Sequence, residues 1–181
     1  IPDNIGVTVN LQIEGYNETI RPQTPVTMPQ EYHKLSEYGF PIADENDPGY
    51  FTVLHALAEY EIQAYGLERE YAGDLISAGE TGYIMDIEGY VGSNWDKTLG
   101  INIWRNGSAI MQSCAEEKLE EGDLLVFGAL WYFWDGSALH GTSYCRFSDI
   151  PTEAKAGKEF RVGVTAVDSM NVSDAAGITI I

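Results

Sequence analysis

Basic side chains are scarce in this sequence: ten Lys or Arg face twenty-eight Asp or Glu, a formal charge of -18 at pH 7. A field of that sign repels phosphate backbones and anionic head groups, so nucleic acid is not an expected partner. The imbalance is sharpest between Leu35 and Asp96, where Arg69 is the one base, and the direct reading is a solvated acidic surface. Long apolar runs are missing too; none approaches the roughly 20 residues that cross a bilayer, and direct membrane insertion is not expected. The opening Ile1-Pro2-Asp3-Asn4 carries neither the charged nor the apolar part of a signal peptide, and no initiator Met, so the chain reads as a mature fragment. Internal repeats, low-complexity runs and Gly/Ser linkers are absent as well.

Cysteine is limited to Cys114 and Cys145. Neither has a Cys or His neighbour at metal-site spacing, which argues against zinc. The two are a disulfide candidate: a bridge would close a loop of about 30 residues and contribute about 3 kcal/mol in the chain-entropy picture. Bridged and free forms stay open at this point. The histidines, His33, His55 and His140, stand in separate contexts, and no nucleophile-elbow motif accompanies any of them. His55 falls inside a helical pattern, where the role of a packed ring outweighs that of a general base.

Apolar residues, by contrast, make up 44% of the 181 positions, enough to bury a core without a staple. Val7, Val9, Leu11 and Ile13 alternate with polar residues, the clearest half-buried strand in the chain. From Ile20 to Met28 the prolines 22 and 25 limit the chain to an edge strand or an extended crossing. Gln30 to Gly49 reads as a long surface loop with little regular structure. Its Asp44-Glu45-Asn46-Asp47 cluster offers oxygens for calcium, but it lacks the spacing and the closing Glu of an EF-hand loop, and an Asx-type turn ahead of a helix is the plainer reading. That helix follows: Thr52 is the expected N-cap, Leu54, Leu57, Ala58, Glu61 and Tyr65 share one side, and Gly66 is the stop. Glu61 is the one polar residue in the stripe.

Glu70 to Thr81 reads as a connector, and Tyr83, Met85 and Ile87 alternate with Ile84, Asp86 and Glu88 in a further strand. Trp95, among small polar residues, suits either the rim of a shallow site or a place against the sheet. Ile101 to Trp104 forms a strand that ends in Asn106-Gly107, the dipeptide of a type I′ hairpin turn. Glu121-Gly122-Asp123 launches Leu124 to Leu130, apolar at nearly every position and so expected to be covered on both faces. Trp131 to Trp134 continues it, and Asp135-Gly136 turns the chain back towards Tyr144 and Cys145. Four consecutive aromatics cannot share one core, so two should point outward as a seam or a binding patch. After Ser148 to Thr152 the style changes, and Phe160, Val162, Val164 and Ala166 resemble an opening strand of an immunoglobulin-like sandwich. The expected fold is α+β, mainly β: a mixed sheet packed on one helix over residues 1–150, then C-terminal strands over 151–181 that complete the sheet or begin a second module.

Trp104, Asn106-Gly107, Ala115, Leu119 and Gly122-Asp123, in this order before an apolar strand, resemble the C-terminal β-domain of transcobalamin and intrinsic factor and its bacterial relatives. Thr52 to Leu57 is similar to that family's single helix, and Val7 to Ile13 to its first strand. The resemblance implies a β-grasp-like sheet wrapped on one helix, in a module of a bacterial secreted or surface protein. No ligand residue carries over, because the cobalamin carriers also use a second, helical domain. The expected function is therefore non-enzymatic: an extracellular or cell-surface module for adhesion or binding, with neighbouring domains of a larger surface protein as partners. The alternative is a small-ligand domain for a carbohydrate or corrinoid-like molecule, using exposed Trp95, Trp104, Trp131 and Trp134. An acid pair, Asp86 and Glu88, is the weaker catalytic candidate. No catalytic residue, metal or cofactor is assigned.

Overall fold

A computed structural model describes residues 2–15, 18–89, 100–130, 132–134, 139–141, 143–148, 153, 156–157, 159, 162–168 and 172–174; the side chains of 129–148 and 166–174 are not described. Strand β1, Thr8–Glu14, buries Val9, Leu11 and Ile13 and leaves alternate residues half-buried, as its period-two pattern demands. It pairs antiparallel with β2, Thr19–Thr27. β2 accommodates Pro22 and Pro25 because it lies at the edge of its sheet, where a missing N–H leaves no neighbour unpaired.

The chain from Gln30 to Gly49 does more than the expected surface loop. It forms two 3-10 turns, Leu35–Tyr38 and Asp44–Asn46, and buries Leu35, Tyr38, Phe40 and Ile42 in the core. Helix α1, Val53–Tyr65, follows, with Thr52 in extended conformation as N-cap and Gly66 in the left-handed region at φ 65° as C-cap. A 3-10 segment, Arg69–Leu75, leads into β3, Ile76–Ala78, so the expected connector contains a strand.

β3 forms a hairpin with β4, Ile84–Ile87. The expected facing of β4 is corrected here: Ile84 and Ile87 are buried, whereas Tyr83 and Met85 are 57% and 45% exposed. Strict alternation fails because the register is irregular between Ser77 and Ala78, and two core residues three positions apart both turn inward.

β5, Gly100–Arg105, turns through Asn106 and Gly107, both at positive φ (54° and 84°), into β6, Ser108–Ala109. β7, Leu124–Leu130, inserts between β1 and β5. The sheet order is β2-β1-β7-β5-β6, with β1 and β7 parallel at the centre and the other neighbours antiparallel. Val9, Leu11, Ile13, Ile103, Leu125 and Phe127 join α1 in one core, and Trp104 with Val126 forms a second small cluster on the opposite face. β7 is thus buried on both sides at Leu125, Val126 and Phe127, as its sequence requires.

β8, Tyr132–Trp134, pairs with β9, Leu139–Gly141. The expected turn at Asp135-Gly136 lies outside the described residues. β10, Ser143–Ser148, pairs with β11, Gly163–Asp168, which pairs with β12, Val172–Asp174. Among the described residues β10, β11 and β12 form a three-stranded sheet of their own, and residue 150, the expected boundary, lies between β10 and β11 in the sequence. Together these elements are an α+β arrangement, mostly strand, on one α-helix.

Candidate functional site

The β3–β4 hairpin separates two concavities of opposite character. On one side a groove of about 340 Å³ runs between β4 and β5, with Ile84, Ile101, Ile103 and Ile110 in its walls and no acid or base in its lining. Tyr83 and Met111, 57% and 94% exposed, stand at its rim. The hairpin tip is clasped against the opposite wall by a hydrogen bond from Ser113 Oγ to the Thr81 carbonyl. Gly82 makes that approach possible, since a Cβ there would lie 2.5 Å from Ala115 Cβ, at a backbone φ of +76°. Asn102 also lines the groove, and its Nδ2 is buried without a hydrogen-bond partner among the described residues.

On the other side lies a cleft of about 520 Å³ bounded by Asp74, Ser77, Asp86 and Glu88. Asp86 Oδ2 accepts from the Gly89 N–H at 2.8 Å, its Oδ1 is buried without a partner among the described residues, and burial raises its pKa. Asp86 and Glu88, the candidate pair, both line this cleft, but Glu88 is already engaged. Arg21 Nε donates to its Oε1 at 3.1 Å, Arg21 Nη2 lies 2.5 Å from Oε2, and Tyr65 donates to Oε2 at 2.7 Å. Glu88 holds this position in the left-handed region, at φ 53°, where a non-glycine residue persists only if its surroundings fix it.

Behind this ion pair sits Glu61. Its exposure is 0%, and neither carboxyl oxygen has a hydrogen-bond partner among the described residues. Burial, reinforced by the Glu88 carboxylate, pushes its pKa up to about 8. The sequence marks Glu61 as the odd residue of an apolar stripe; it does not show Arg21 and Glu88, 67 positions apart, closing over it.

His55, two turns earlier on the same helix, is also fully buried but fully partnered. Nδ1 accepts from the Thr52 N–H at 3.0 Å and lies 2.9 Å from Thr52 Oγ1; Nε2–H donates to the His33 carbonyl, also at 3.0 Å. These bonds assign the neutral Nε2–H tautomer. Phe51 and Tyr38 meet the ring edge-on, and burial lowers its pKa to about 4. His55 thus takes the position that Glu or Gln holds in an ordinary capping box. It is a structural ring, not a base.

Of the Asp44-Glu45-Asn46-Asp47 cluster, Asp44 and Asp47 are engaged by protein donors. Asp44 binds Lys34 at 2.8 Å and Ser36 at 2.7 Å, while Asp47 accepts from Tyr32, from the Leu35 N–H at 2.9 Å and from the Gly49 N–H at 3.0 Å. The last bond is the Asx-type turn that the sequence predicts before the helix. No group of three or more His, Cys, Asp or Glu side chains placed to hold a metal occurs among the described residues.

Of the four tryptophans, Trp95 and Trp131 lie outside the described residues, and Trp134 is placed on β8 without its side chain. Trp104 is not the exposed platform expected of it. It is 1% exposed, packs with Val126, and covers Gly128, where a Cβ would come within 2.6 Å of its ring. Cys114 carries a buried free thiol at the base of the groove, and burial pushes its pKa up to about 12. Its expected partner, Cys145, sits on β10, whose side chains lie outside the described residues.

The Asn106-Gly107 and Gly122-Asp123 motifs turn out to be two halves of one lock. Asn106 Nδ2 donates to Asp123 Oδ1 at 2.7 Å, and Asn106 Oδ1 accepts from the Leu124 N–H at 2.9 Å. Arg105 adds contacts to Asp123 at 2.9 Å, Glu117 at 2.8 Å and Glu120 at 3.1 Å. Backbone bonds from Asn10 to Asp123 and from Gly122 to Thr8 carry the lock across to β1. The motif residues thus tie the β5–β6 turn and the start of β7 into the sheet.

No protein-family model, curated protein or solved structure matches this chain.

Proposed function

We propose that this chain is a non-enzymatic binding module of a bacterial secreted or cell-surface protein, with a β-grasp-like fold of the transcobalamin C-terminal type, and that it holds an uncharged ligand in the groove between β4 and β5. The fold reading is supported by the parallel central pair β1–β7, its antiparallel neighbours and α1 against one face. The observation that carries the function is the groove. On a chain of charge -18 it is lined by apolar and neutral polar residues alone, and its volume of about 340 Å³ falls within the range of small-molecule sites. A charged ligand would lose hydration there without gaining a counter-charge. Neighbouring domains of the parent protein are the further partners, and the acidic surface suits an extracellular setting.

The carboxylates speak for binding rather than hydrolysis, because Arg21 and Tyr65 occupy both oxygens of Glu88. The test is a methyl NMR titration with neutral probes, namely Nile red, a glycan panel and a corrinoid panel. Saturable shifts at Ile101, Ile103, Ile110 and Met111 are expected for one class. If those four methyls stay still throughout, the groove is not the site, and shifts confined to indole signals would restore the aromatic-platform alternative.

A further inference from the structure

Glu61 stands at the junction of three elements. Arg21 reaches it from β2, Glu88 from the end of β4, and Tyr60 and Tyr65 flank it on α1. The remaining cation nearby on the helix's partners, Arg69 of the 69–75 segment, faces Glu59 at 3.8 Å. The β3–β4 hairpin closes over this junction through one residue, Glu88. Its backbone N–H donates to the Leu75 carbonyl at 2.7 Å, its side chain is pinned by Arg21 and Tyr65, and its φ of 53° is one that a Glu rarely adopts. A strained residue clamped by an ion pair thus lies beside a buried acid whose oxygens have no hydrogen-bond partner among the described residues.

We propose that Glu61, Glu88, Arg21 and Tyr65 form a proton-dependent latch that holds the β3–β4 hairpin against α1 and β2: protonated Glu61 lets Glu88 close onto Arg21, and loss of that proton loosens the hairpin. Closed, the latch keeps Glu61 out of water as a neutral acid. Open, it hydrates the carboxyl, which then ionises in the ordinary range. The closed form therefore holds one more proton than the open form between the ordinary value of 4.5 and the raised value of about 8. Across that window the opening constant rises by up to tenfold per pH unit, and above it the rise levels off. The hairpin forms a wall of both concavities, so the latch governs the shape of each, but it stands whether or not the groove binds a ligand.

The test is native-state hydrogen exchange on the whole chain, with rates corrected for intrinsic base catalysis, from pH 5 to 9. The Glu88 and Gly79 amides, both hydrogen-bonded within the hairpin, report the latch, and amides of the β1–β7 ladder report global unfolding. Hairpin amides are expected to be less protected than ladder amides and to lose protection by up to tenfold per pH unit, levelling near pH 8. In Glu61→Gln that pH dependence is expected to vanish at the hairpin. Hairpin amides that exchange only together with the ladder, or that lose protection with pH equally in both proteins, would overturn the proposal. The wild-type profile decides the first point even if the variant does not fold.

Discussion

Two titratable side chains of helix α1 have no exposure at all, His55 and Glu61, and the helix treats them in opposite ways. Every hydrogen-bonding atom of the His55 ring has a partner, while neither oxygen of Glu61 has one among the described residues. A satisfied buried group fixes its neighbours in place; an unsatisfied one costs free energy for as long as it stays buried. The N-terminal end of the helix is therefore built for rigidity, tying Thr52, His33 and the 30–49 segment together. The C-terminal end retains a group that packing alone would replace with leucine, and this marks it as the end where the structure can change.

Substitution separates the two ends. The largest effect is expected from His55→Ala, which empties a ring-lined site and leaves the Thr52 N–H and the His33 carbonyl unpaired; a loss of about 4 kcal/mol should appear as a lower urea midpoint at unchanged slope. A loss under about 1 kcal/mol would show that the two ends are alike.

Next in size is the pH profile. His55, lowered to about 4 from 6.5, is neutral when folded and charged when unfolded within that window, so its contribution to stability is lost as pH falls. Glu61, raised from 4.5 to about 8, is protonated when folded and ionised when unfolded, so its contribution is lost as pH rises. Between 4.5 and 6.5 the two slopes oppose each other and cancel. Removing Glu61 as Glu61→Gln should uncover the His55 slope: relative to wild type, the variant gains up to about 1.4 kcal/mol per pH unit across that interval. Urea titrations at pH 4.5, 5.5 and 6.5 measure it, and parallel curves would sink the assignment.

Glu61→Leu should stabilise the chain at pH 8 by about 2 kcal/mol and by less at pH 5, since it removes a buried acid without unpairing anything. Thermal melts at the two pH values read the difference, and a destabilised variant would mean that Glu61 has a partner after all. The smallest effect belongs to Thr52→Ala. About 1 kcal/mol is expected from loss of the cap hydroxyl, because His55 keeps its bond to the backbone N–H. A chemical-denaturation midpoint for this variant equal to that of His55→Ala would place the anchoring in the hydroxyl rather than the ring.

Where structure follows from neighbours in the chain, it was legible in advance. Thr52 to Gly66 reads as a capped helix, Val7 to Ile13 as a half-buried strand, and Asn106-Gly107 as a turn, because each pattern lies within a few residues. The facing of β4 was not, since it depends on an irregularity in its partner strand. Nor was the burial of Leu35, Tyr38, Phe40 and Ile42, which lie among acids and prolines yet join the core, the 35–38 turn packing against α1 and the 69–75 segment. The same holds at the candidate site. Glu61 stood out as a flaw in the helix stripe, but its meaning rests on Arg21 and Glu88, which no local pattern connects. Trp104 looked like a platform because indole rings often line sites; Gly128, its diagonal neighbour on β7, made room for the ring to pack instead.

The lock between Asn106 and Asp123 also orders events in time. β5, its turn and β7 are close in sequence, whereas β1 pairs with β7 at Asn10 and Leu124. A ribosome adding about 5 to 20 residues per second needs on the order of ten seconds to supply that partner. Until then Val9, Leu11 and Ile13 have β2 and α1 to shelter them, and the centre of the sheet cannot close before β7 has been made.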